Sequence, residues 1–104
     1  MTSPIEEELL TGLFPADVQV LSEPIRDYTR GLHPEESALI ASAVAKRRHE
    51  FATGRVLARR LLASFGHPNA SILKEEDRIP IWPDGVVGSI SHSEGLCAAV
   101  VAVS

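Results

Sequence analysis

Apolar positions recur at helical spacing in one long stretch of the chain. Between Lys46 and Phe65, the residues Phe51, Gly54, Ala58, Leu61, Leu62 and Phe65 make a stripe spaced by threes and fours, which predicts an amphipathic helix. Gly66 and then Pro68 end it. Upstream, His33-Pro34-Glu35-Glu36 is a helix start, with proline near the first helical position and acids in the first turn. It predicts a helix running through Leu39, Ile40 and Val44. Elsewhere the period is shorter. "DVQVLSEPI" alternates around Val18, Val20 and Ile25 and predicts a strand. Ile72-Leu73 predicts a short strand, followed by a polar loop from Lys74 to Arg78. "VVGSIS" predicts a strand over 86–90, and "LCAAVVAV", apolar on both faces, a buried final strand. These two form an antiparallel hairpin through "SHSEG". Residues 1–15 read as an acidic helix or tail ending at Phe14-Pro15, and residues 16–104 as the folded unit. The fold class is α+β: two packed helices against a small, mostly antiparallel sheet. The chain ends at Val103-Ser104, directly after its most hydrophobic strand. Such a strand is expected either to be central, covered by residues 16–25, or to have neighbours further along the protein.

A chain of 104 residues makes one small domain. Its net charge of −4 argues against a nucleic-acid partner. That charge is unevenly spread. Residues 46–60 hold Lys46, Arg47, Arg48, Arg55, Arg59 and Arg60 against the single acid Glu50. A basic patch inside an acidic chain points to a small anionic ligand. The one cysteine, Cys97, lies in an apolar run and is expected to be a buried, inert thiol. "MTSPIEEELL" has neither the basic start nor the apolar core of a signal peptide, and no apolar run approaches the roughly 20 residues of a membrane span. The expected compartment is the cytoplasm.

On a helical wheel Arg48, Arg55 and Arg59 fall within about 40° of one another, beside the apolar stripe. Arg48 and Arg59 read as solvated or structural. Arg47 projects onto the stripe itself, where an arginine must snorkel or meet an anion. "GSISHS", residues 88–93, raises a related question. A hairpin needs only turn formers, yet this one carries Ser91 and His92, which add hydrogen-bonding capacity.

The ordered set Lys-Arg-Arg-x-Glu-Phe (46–51), Gly54-Arg55, Ala58-Arg59, Trp82-Pro83, Gly85 and Gly88-Ser-x-Ser-His resembles the 4′-phosphopantetheinyl transferases. The likeness is to the two-lobed monomeric type that includes enterobactin-synthase component D-like and actinobacterial enzymes, and it covers residues 33–103. The resemblance implies an enzyme that moves the phosphopantetheine arm of coenzyme A onto a serine of an acyl or peptidyl carrier protein, as in siderophore or polyketide assembly. It implies that Arg47 and Arg55 contact coenzyme A, mainly its 3′-phosphate end, and that Ser91 and His92 face the ligand cleft. It also implies that the loop from Lys74 to Pro80 lines the adenine, with Lys74 and Arg78 as cationic contacts. Trp82-Pro83 is expected to pack the sheet. In the family, magnesium is held by acids in a stretch beyond the "AAVVA" strand, and the catalytic base lies later still. No acid here, Glu75, Glu76 and Asp77 included, matches those positions. The chain therefore resembles the N-terminal lobe alone, with its metal ligands expected in the C-terminal lobe, and by itself it is expected to be inactive. The alternatives are a half-domain that binds coenzyme A or adenosine bisphosphate without turnover, and a structural fragment whose basic row serves solubility.

Overall fold

A computed structural model describes residues 18–74 and 80–103; the predicted acidic segment 1–15 lies outside the described residues. Strand β1 (Val18–Pro24) leads through a 3₁₀ turn, Thr29–Gly31, to helix α1 (Pro34–Ala38) and the long helix α2 (Ala45–Ser64). Strands β2 (Val86–Ser93) and β3 (Leu96–Val103) complete an antiparallel sheet of order β1-β3-β2. The α+β class is as expected. The most hydrophobic strand, β3, is central, with β1 covering its far edge in the register Val18↔Ala102 to Pro24↔Leu96.

One face of the sheet packs on α2. Cys97, Ala99 and Val101 of β3 meet Leu57, Ala58, Leu61 and Leu62, with Ile72 and Val86 closing the core. Cys97 is buried, and burial pushes its thiol up. The opposite face of β3, Ala98, Val100 and Ala102, is only half-buried, so the strand is not covered equally on both sides. Trp82 packs as expected: a Cβ placed on Gly88 would sit 2.7 Å from its ring. Helix and strand also approach closely at Gly54. A Cβ on Gly54 would lie 2.5 Å from the Ile90 Cγ2 methyl. Gly54→Ala gains about 1 kcal/mol of helix propensity, but overpacking of this kind costs about 1–3 kcal/mol. A net loss of up to about 2 kcal/mol is expected in urea unfolding, and in an Ile90→Ala background the same substitution should be neutral or stabilising. A stabilised Gly54→Ala single variant would contradict this packing.

Three expectations are corrected. Helix α1 stops at Ala38 instead of running through Val44. The chain continues in short turns, with Leu39 N–H donating to Glu36 O and Ile40 N–H to Ser37 O, and Val44 is extended, ψ 159°, as the N-cap of α2. Ile72-Leu73 is not a strand. Ile72 is fully buried, but its N–H donates to Glu36 Oε2 at 2.8 Å and its C=O accepts from Arg55 Nε at 2.8 Å. Side chains thus supply the partners that a ladder would have supplied. Finally, β2 runs on to Ser93, so the hairpin turn is Glu94-Gly95, not "SHSEG". Both turn residues have positive φ, 50° and 81°, as the tightest hairpin turns require.

Candidate anion-binding site

Helix α2 begins against its own electrostatics. Val44 offers no side-chain cap, the first turn has no acid, and Lys46, Arg47 and Arg48 stand where the helix dipole favours anions. Local helix stability is given up for positive potential at this end. From there Arg47, Glu50, Phe51 and Arg55 descend one side of the helix at helical spacing. With Ile90 and His92, which share the inner face of β2, they line a concavity of about 170 Å³.

Arg55 is 6% exposed and lies with its guanidinium carbon 4.2 Å from the centroid of the Phe51 ring. Its Nε is committed to Ile72 O, so the amino edge of the fork is the part left for a ligand. Burial pushes Arg55 down to about 10; the charge of Glu36 works against the shift, and those of Arg47 and Arg59 add to it. It remains a cation at neutral pH, held where a second negative charge would relieve both the desolvation and the crowding of like charges. His92 Nδ1 lies 3.2 Å from Glu50 Oε2.

Three of the sequence candidates, Arg47, Arg55 and His92, are therefore brought together. The others are not. Because β2 continues past them, Ser91 and His92 alternate across the sheet. His92 pairs with Cys97 in the register and shares its α2 side, whereas Ser91 pairs with Ala98 and is exposed on the other face. Ser91 does not line the concavity. Lys74 forms an isolated bridge with Pro80 at the root of the following loop, is half-buried there, and is not among the described residues that line the concavity. Arg78 lies outside the described residues. Arg59, read as structural, is so. It pairs with Glu36, which is fully buried, and donates to Gly31 O at 2.8 Å and Ala70 O at 3.2 Å. Arg48 is exposed beside a larger concavity of about 390 Å³ that also holds Asp27 and His49, themselves 3.8 Å apart. That cavity is the larger of these two; chemistry favours the smaller one, where basic side chains converge from two elements.

Glu50 and Phe51 were not candidates from the sequence. Their signal is the spacing from Arg47, three and four residues on, which places all three on one face. Glu36 was legible only as a first-turn acid. Instead it anchors the extended segment before Lys74: its carboxylate accepts from Arg59, Ile72 N–H and His33 N–H, while Ser71 donates to Glu35 at 2.8 Å. Among the described residues no group of three His, Cys, Asp or Glu side chains is placed to hold a metal ion. None of their helices is long and apolar enough to cross a membrane.

Residues 35–102 match the family description 4′-phosphopantetheinyl transferase N-terminal domain. The chain is similar to 4′-phosphopantetheinyl transferase Npt of Nocardia iowensis, 44% identical over 96 residues, 90% of this chain and 42% of that protein. It is similar also to 4′-phosphopantetheinyl transferase Svp of Streptomyces mobaraensis, 52% identical over 71 residues, 68% of this chain and 29% of the relative. With 4′-phosphopantetheinyl transferase PptT of Mycobacterium tuberculosis it shares 54% identity over 68 residues, 65% of this chain and 30% of that one. The chain thus spans less than half the length of each of these relatives.

Proposed function

The chain belongs to the 4′-phosphopantetheinyl transferase family, and from that membership we propose that it supplies the coenzyme A-binding lobe of an enzyme that transfers the 4′-phosphopantetheine arm to a carrier-protein serine. The observation that carries this reading is the convergence of Arg47, Arg55 and His92 on one concavity. Guanidinium forks and an imidazolium match phosphate oxygens with charge-assisted hydrogen bonds. The 3′-phosphate of coenzyme A is the group assigned to them. In the reaction the carrier serine oxygen bonds to the phosphorus that bears the pantetheine arm, and the bond from that phosphorus to the bridging oxygen breaks. Adenosine 3′,5′-bisphosphate leaves and the serine proton is lost to a base. These side chains hold the leaving portion in place, and orientation of this kind is a large part of phosphoryl-transfer catalysis. Magnesium, where such an enzyme binds it, neutralises the pyrophosphate. The residues described do not fit that ion: the single carboxylate lining the concavity, Glu50, faces His92. No step through the metal is assigned to them. The acceptors are cytoplasmic carriers of the siderophore or polyketide kind.

Calorimetry on residues 1–104 tests the ligand assignment. Coenzyme A is expected to bind about 10- to 100-fold more tightly than 3′-dephospho-coenzyme A, since a hydrogen bond to a charged group contributes about 1.5–3 kcal/mol. Equal affinities would overturn it.

A further inference from the structure

An anion site lined by a carboxylate contains its own opposition, since a like charge a few ångströms away weakens phosphate binding. Glu50 is placed there nonetheless, with its side chain only 14% exposed. It does not neutralise the arginines: among the described residues His92 is the only basic side chain within ion-pair distance of it. The contact is made to Nδ1, and the hydrogen bond at one ring nitrogen decides which nitrogen carries the proton in the neutral ring. Carboxylates that sit behind ligand-holding histidines fix both tautomer and ring orientation in this way.

We propose that Glu50 is a positioning residue: its carboxylate takes the Nδ1–H of His92 and so leaves the Nε2–H, which the ring carries in its doubly protonated form, to donate to the anion held by Arg47 and Arg55. The two residues come from different elements. Glu50 lies in the second turn of α2 and His92 near the end of β2, opposite Cys97. The pair therefore also fixes the ring against the helix that carries the arginines. Lys46, His49 and Glu94 line a neighbouring concavity with Glu50, none of them within ion-pair distance of it. Arg47 and Arg55 favour a carboxylate in the concavity but do not touch it, and Cys97 is neutral at physiological pH because burial and the charge of Glu50 both raise its thiol. The ligand side of this inference rests on the coenzyme A reading above; the pairing itself does not.

The test separates the two. In ligand-free residues 1–104 at about pH 8.5, where an ordinary imidazole is neutral, long-range ¹H–¹⁵N spectra are expected to show His92 protonated at Nδ1. Glu50→Ala should shift it to the Nε2-protonated form, while Glu50→Gln, which keeps an acceptor, should hold the first. A wild-type ring bare at Nδ1 would overturn the proposal whatever the protein binds. For coenzyme A, Glu50→Ala should weaken affinity about tenfold, the scale of one hydrogen bond to a charged group, and Glu50→Gln should recover most of that loss. In a His92→Ala background the sign should reverse. With no ring to orient, removing the carboxylate only removes repulsion, and binding should tighten. Tighter binding by Glu50→Ala with His92 in place would mark Glu50 as a bystander charge and overturn the inference. A correct tautomer in a chain that does not discriminate coenzyme A from its 3′-dephospho form would uphold the pairing and overturn the ligand.

Discussion

Replacing Glu36 by alanine is expected to cost about 3 kcal/mol of folding stability, the largest loss from any single polar side chain described. Glu36 is fully buried and its two oxygens serve three donors, Arg59, the N–H of His33 and the N–H of Ile72. Truncation leaves a buried peptide N–H and a largely buried guanidinium without their acceptor. Breaking a buried pair from one side costs about 3–5 kcal/mol. The low end applies because the Arg59 side chain is 13% exposed and keeps two carbonyl acceptors. Against a total of about 5–15 kcal/mol for a domain of this size, that is a large share. Urea unfolding followed by circular dichroism measures it. Adding Arg59→Met should restore part of the loss, since the uncompensated charge goes with it. A loss below about 1 kcal/mol would mean that water replaces the carboxylate without cost, and the network would not be the anchor it is described to be.

Arg55→Met is expected to lower coenzyme A affinity by about 10- to 100-fold, the equivalent of about 1.5–3 kcal/mol for a charged hydrogen-bond donor removed from its phosphate. Methionine keeps much of the hydrocarbon volume against Phe51 and ends the desolvation that pushes Arg55 down to about 10. Against that, Ile72 O loses its donor, at about 1 kcal/mol. Stability should therefore move little while affinity falls far. Calorimetry beside thermal unfolding separates the two, and an affinity within twofold of wild type would remove Arg55 from the site.

The long helix was legible because its stripe of Phe51, Gly54, Ala58, Leu61, Leu62 and Phe65 has one period; the first five are buried where that period puts them, and Phe65, at the C-cap, is half-buried. The central position of β3 is one of the two readings that its hydrophobicity allows. Ile72 was misread because a single buried isoleucine in an extended segment looks the same whether its peptide pairs with a strand or with the side chains of Glu36 and Arg55. Ser91 parts from His92 because β2 extends three residues beyond the end that its apolar pattern predicts. Once β2 reaches Ser93, neighbouring residues must diverge by the pleat. Arg47, Arg55 and His92 were legible singly, as two arginines and a histidine suited to an anion. Glu50 was not, because its meaning depends on a contact with residue 92, 42 positions away, that no local pattern encodes.

Gly54 has no side chain, and this absence works as a spacer gauge. The arginines stand on a helix and the histidine on a strand, so the width of the gap between them is the distance of closest approach of two backbones. That distance is set where Gly54 meets Ile90, one residue from Arg55 and two from His92. A phosphate has a fixed diameter. The fit of the gap to that diameter is therefore adjustable from a position that has no polar side-chain atom and never touches the ligand.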